Sequence, residues 1–131
     1  MAELGNLFQS ADWKAEKHVP VIEAPEKVVK GEFFTIKVMV GKEIPHPNTT
    51  AHHIRWIALY FLAEGEKFPY ELARCEFNAH GESTQGADTS GVYTDPKVSV
   101  TIKAAKPGKL FAASLCNIHG LWQSFQEIAV T

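Results

Sequence analysis

Residues 31–41 read GEFFTIKVMVG, and this stretch decides the fold class. Phe34, Ile36, Val38 and Val40 fall on every second position, so in an extended chain they share one face while Thr35 and Lys37 turn to the other. A period of two means a half-buried strand. The same beat returns at Ala73, Cys75 and Phe77 and again at Val98, Val100 and Ile102.

Outward from there, turn residues punctuate the chain at Gly31, Pro45 with Pro47, Gly65, Gly81, Gly91 and Pro107 with Gly108. They leave little room for a helix beyond the N-terminal segment. Six to eight short strands, about seven, are joined by links of hairpin length rather than by crossover helices. The expected fold is all-β: an immunoglobulin-like antiparallel β-sandwich with a short N-terminal helical or irregular segment. The longest irregular stretches are 41–50 and 80–94, and long loops on a compact sandwich often carry function.

A chain of 131 residues with 45% hydrophobic content is enough for one domain, residues 1–131, with one core and one principal site. Lys and Arg number 13 against 15 Asp and Glu, so there is no overall field to attract a nucleic acid or an anionic membrane, and neither is expected as a partner. The opening MAELGNLFQSADWKAEKH carries charge throughout and lacks the apolar run of a signal peptide. No later run is long enough to span a bilayer, and the expected location is cytoplasmic. The two cysteines, Cys75 and Cys116, are expected as free thiols, Cys75 in core packing.

The histidines fall in turn-rich segments beside strands: His18 in EKHVP, His46, His52 and His53 in HPNTTAHH, and His119 in CNIHG. Cys116 precedes His119 as C-x-x-H, a spacing that lets a tight turn aim both donor atoms at one point. Taken alone, that pair is equally a buried thiol beside a loop histidine. Pro45 and Pro47 restrict the backbone around His46, which favours a ring held in place before any ion arrives. His53 is set aside because neighbouring strand residues face opposite ways, which leaves His52 as the metal-binding candidate. EKH alone is an ordinary charged loop; beside the other two clusters it gains weight.

Taken in order, EKHVPVIE, VGKEIPHPNTT followed by HHIRWI, FNAHGES, GVYTDP and SLCNIHGLW resemble the superoxide reductases of the neelaredoxin and desulfoferrodoxin group, over Asp12 to Trp122. The resemblance implies one iron ion per chain, Fe2+ when active and Fe3+ at rest. Its ligands would be the imidazoles of His18, His46, His52 and His119 in a rough plane, with the Cys116 thiolate on the axis. Glu16 would close the sixth position in the oxidised state, as a further metal ligand, and Lys17 would be the cation beside the open face. Those two are the expected catalytic residues, and His53 and His80 are not ligands in the pattern. The chain departs from the family at Ala51, where glutamate is common, and it lacks an N-terminal four-cysteine iron domain. It therefore resembles the one-iron type, which takes electrons from rubredoxin or a similar small donor and forms homo-oligomers, dimers or tetramers.

The implied reaction belongs to oxidative-stress defence: superoxide takes one electron and two protons and leaves as hydrogen peroxide. Zinc suits nitrogen and sulfur donors but cannot change oxidation state and rarely takes five protein ligands, so iron is the better fit. Backbone amides at Ile118 and His119 are expected to donate to the sulfur and tune it. The alternative is a cupredoxin-like copper electron-transfer protein, which also places C-x-x-H between late strands of a sandwich. It wants a weak methionine ligand after that histidine, yet the methionines are Met1 and Met39, so Gln123 would have to serve. A scaffold with incidental histidines leaves their strand-end placement unexplained.

Overall fold

In the computed structural model, residues 3–131 are described, and Leu4–Leu7 form one exposed turn of 3-10 helix. Eight strands follow: β1 (Pro20–Glu23), β2 (Lys27–Val28), β3 (Phe34–Val40), β4 (Ile54–Ala63), β5 (Tyr70–Glu76), β6 (Lys97–Ile102), β7 (Gly108–Cys116) and β8 (Gly120–Val130). They make a three-stranded sheet in the order β1-β3-β6 and a five-stranded sheet in the order β2-β8-β7-β4-β5.

The alternation in 31–41 is realised as β3. Ile36, Val38 and Val40 are buried, while Thr35 and Lys37 are exposed. They join Ile57, Leu59 and Phe61 of β4, Leu110 of β7 and Ile128 of β8 in one core between the sheets. Each such side chain contributes about 1.5–3 kcal/mol by leaving water. Val98, Val100 and Ile102 of β6 pack against this core, as does Cys75, and both cysteines are free. β4 has a neighbour on each side and is buried along most of its length.

The eight strands fall within the expected six to eight, and one detail differs from the expectation: one pairing is parallel, with Lys27 and Val28 of β2 running alongside Ala129 and Val130 of β8. A two-residue strand is too short to show periodicity; Val28 is nonetheless buried. All other pairings between strands are antiparallel. No helix among the described residues is long and apolar enough to cross a membrane.

One end of the five-stranded sheet is shaped for a site. The β4–β7 ladder shifts register between Ile54 and Trp56, so Arg55 is extra and Ile54 pairs with Cys116. Such a bulge bends the strand and re-aims the residues at its end. Beyond it, β7 turns into β8 through Asn117, Ile118 and His119, closed by the pair Cys116 with Gly120. Gly120 has φ +82°, a left-handed conformation in which glycine pays no steric penalty, as a three-residue hairpin requires.

Candidate metal centre

Cys116 ends β7, buried, and its sulfur accepts the His119 amide at 3.3 Å. The turn thus folds His119 back over the cysteine, with Nδ1 at 3.8 Å from Sγ. The expected bond from the His119 amide is present; none from the Ile118 amide is seen among the described residues. The His119 carbonyl is fixed from behind by the Gln9 side-chain amide at 2.9 Å and the Trp122 indole N–H at 3.3 Å. Gln9 lies there because its backbone bridges β8 beside Trp122.

His18 is buried just before β1, its ring stacked on Trp122. Its Nδ1 lies 2.6 Å from a Glu16 carboxylate oxygen, which also accepts the His18 amide at 3.0 Å. A carboxylate can only accept, so Nδ1 carries the hydrogen, and in the neutral ring Nε2 is left with a lone pair. His46 repeats the device: Nδ1 donates to the Pro47 carbonyl at 2.6 Å, and Nε2 is buried with no partner. An orphaned buried nitrogen is costly, and metal ligation would satisfy it. Gly41, at φ +93°, makes room, since a Cβ there would stand 2.7 Å from the His46 amide nitrogen.

The donors converge. Ligand atoms of His18, His52, Cys116 and His119 all lie within 4.8 Å of one another. His119 Nδ1 is 3.1 Å from His18 Nε2 and 3.2 Å from His52 Nε2. One hydrogen cannot serve both approaches while His18 Nε2 is a lone pair, whereas a shared cation satisfies all three nitrogens. His46 stands outside this tight group, but its ring is edge-on to His18 and His52, with centroids 4.9 Å from each. Four imidazoles and a thiolate fit a transition metal.

Burial favours the neutral form of His46 and His52, the form that metal ligation requires. It pushes the His46 pKa down to about 4, against a smaller upward pull from the Pro47 carbonyl. It also lowers that of His52, helped by the charge of His119. Lys17 pulls both in the same direction, so its ammonium is felt at the site; no ion pair to Lys17 is seen among the described residues. Partial burial raises the pKa of the Glu16 carboxyl, but hydrogen bonds from His18 and the charge of Lys17 outweigh it, leaving Glu16 below the usual carboxylate range.

The sequence-expected residues are therefore placed as follows. His18, His52, Cys116 and His119 come together, and His46 adjoins them. Glu16 touches His18 on the nitrogen that faces away from the cluster. His53 points elsewhere, stacked on His80 with centroids 3.4 Å apart, both rings buried. Sequence reasoning missed Gln9, and it passed over Trp122 and Asn117, which lay inside the quoted motif SLCNIHGLW.

The desulfoferrodoxin family model matches residues 10–125. The chain is 58% identical to the superoxide reductase of Pyrococcus furiosus over 121 residues, 92% of this chain and 95% of the relative. It is 53% identical to neelaredoxin of Megalodesulfovibrio gigas over 125 residues, 95% of this chain and 96% of the relative. A superoxide reductase (neelaredoxin) structure from Archaeoglobus fulgidus in the reduced form superposes with a TM-score of 0.87 at 59% identity, covering 94% of this chain and 98% of that one. A Thermotoga maritima crystal structure superposes with a TM-score of 0.97 at 55% identity, covering 100% and 99%.

Proposed function

This chain belongs to the desulfoferrodoxin family, and on that premise we propose that it is a superoxide reductase, an oxidoreductase that converts superoxide to hydrogen peroxide at a single iron. The observation that carries the reading is the meeting of His18, His52 and His119 nitrogens with the Cys116 sulfur beside the unsatisfied Nε2 of His46. Those five residues would hold the metal. When bound, iron supplies a one-electron couple, which zinc does not have.

The remaining work falls to the chain. Superoxide is an anion, and Lys17 offers it a local positive charge on a protein of net charge -2. His119 is exposed at the rim, so water reaches the site and supplies the two protons that the reduction consumes. The His119 amide on Cys116 Sγ moderates the electron donation of the thiolate. Glu16 holds the His18 tautomer that leaves Nε2 free. The family resemblance would also make Glu16 a further residue to hold the metal; here its carboxylate accepts from His18.

Electrons come from a rubredoxin or a similar small donor protein. The outer face of the five-stranded sheet, with Tyr60, Leu62, Phe111 and the exposed Phe125, favours a homo-oligomer, a dimer or tetramer that would cover it. Two unpaired cysteines suit the cytoplasm, where thiols stay reduced. The test is to purify the protein, quantify iron and copper, and follow superoxide with a reductant present. Iron near one per chain with peroxide formed and no oxygen released is expected. Copper in its place, or oxygen released with the peroxide, refutes the reading.

A further inference from the structure

Two of the segments that supply the metal-binding side chains meet through a side chain outside the donor set. Asn117 sits in the turn between Cys116 and His119 and reaches across to the segment that carries His52. Its Oδ1 accepts the His53 amide at 2.8 Å, and its Nδ2 donates to the Ala51 carbonyl at 2.9 Å. Its backbone amide donates to the His53 carbonyl at 3.1 Å. The β4–β7 ladder has already ended at Ile54 and Cys116, so this side-chain amide stands in for the next rung of strand pairing. The bonds fall on Ala51 and His53, the two neighbours of His52, and bracket it from both sides.

We infer that Asn117 is a positioning residue for the metal centre, holding His52 at a fixed distance from Cys116 and His119 so that the donors are arranged before an ion arrives. This rests on the metal-centre reading above. The chemistry selects the residue: one group must accept from an N–H and donate to a carbonyl at once, and a primary amide does both. Aspartate keeps the acceptor and loses the donor; alanine loses both. The far side of the same loop is fastened independently. The Thr50 amide donates to Asp88 at 3.0 Å, the Asp88 amide returns a bond to the Thr50 hydroxyl at 3.0 Å, and that hydroxyl donates to the His80 carbonyl at 2.6 Å. His53 is held by its stack on His80. Removing the Asn117 side chain therefore takes away the two side-chain bonds that tie the neighbours of His52 to the Cys116–His119 turn, while the loop keeps its own bonds, among them the His52 amide to the Thr49 hydroxyl at 3.1 Å and the Thr49 amide to the His52 carbonyl at 2.9 Å.

The experiment loads wild type, Asn117→Ala, Asn117→Asp and Gln126→Ala with iron(II) and follows release to an excess of a chromogenic chelator, with melting of each metal-free protein alongside. Gln126 is the control, since its side chain donates to the Ala24 carbonyl at 3.0 Å well down β8 from the centre. Groups that orient metal ligands typically change affinity by about 10–100-fold, so Asn117→Ala should release iron at least about tenfold faster than wild type. Asn117→Asp should fall between, and Gln126→Ala should match wild type. Equal release from wild type and Asn117→Ala overturns the inference, as does equal acceleration by Gln126→Ala. Should the alanine variant not fold, an aspartate variant that releases iron at the wild-type rate overturns it instead. A wild-type chain that retains no iron overturns the reading of the centre, and this inference falls with it.

Discussion

The imidazole of His18 lies flat on the indole of Trp122, with ring centroids 5.0 Å apart and planes 12° from parallel. The same indole donates to the His119 carbonyl, so one side chain braces two histidines 101 positions apart in the chain. Trp122→Phe keeps a ring under His18 and loses the donor, a change of about 1 kcal/mol. Trp122→Leu loses the aromatic stack as well and should destabilise by about 2–4 kcal/mol. Urea unfolding of the two variants checks this; equal losses would show that the stack contributes nothing.

Lys17 is the cation whose charge reaches His46 and His52. In Lys17→Ala the bimolecular rate with superoxide should drop about tenfold and lose much of its dependence on ionic strength. Pulse radiolysis at two salt concentrations measures both; an unchanged rate removes Lys17 from the path of the substrate.

Glu16 orients His18 through Nδ1. Glu16→Ala should lower metal affinity by about 10–100-fold, whereas Glu16→Gln, which still accepts from Nδ1, should lose less. Competition with a chelator separates the two. Superoxide turnover by fully loaded Glu16→Ala should persist, since the carboxylate lies on the far nitrogen of His18, while its ferric spectrum should change with pH.

Cys116→Ser removes the single sulfur donor from a buried position where a hydroxyl fits. The variant should bind metal through imidazole alone and lack the thiolate-to-metal absorption of wild type. Its visible spectrum decides the matter: an unaltered band would mean that Cys116 is not a ligand.

His80 is buried against His53, and desolvation lowers its pKa below 6.5, outweighing the hydrogen bond to Phe77 and the charge of Glu82; the charges of His53 and Arg55 add to the lowering. The folded state therefore binds fewer protons here than the unfolded chain. Stability of the metal-free protein is fully present above about pH 6.5 and declines as pH falls from there toward the folded pKa. His80→Phe, which cannot titrate, should show a shallower decline between pH 6.5 and 5 in denaturant titrations; a parallel decline would assign the effect to other groups.

What could be read from the sequence was whatever short-range pattern encodes. Ile36, Val38 and Val40 announce β3 through strict alternation, and Cys116 with His119 announces a turn through its spacing. His46 between two prolines pointed to a fixed ring, and the Pro47 carbonyl on Nδ1 is what fixes it. The rest depends on contacts that leave no local trace. Gln9 reaches His119 across 110 positions, and Asn117 reaches Ala51 across 66. The parallel pairing of β2 involves two residues, fewer than any periodic signal needs. The expected place of Glu16 at the metal came from the family pattern alone, and its bond to His18 Nδ1 had no signal in the sequence.

The contact between His18 and His119 has a consequence for assembly. Because the donors are contributed near the beginning, the middle and the late part of the chain, no fragment made before residue 119 can form the complete set. During synthesis, an early imidazole must wait in an incomplete cage until the final hairpin arrives. The full set of donors therefore closes only once that hairpin has formed, which couples completion of the metal cage to completion of the sandwich.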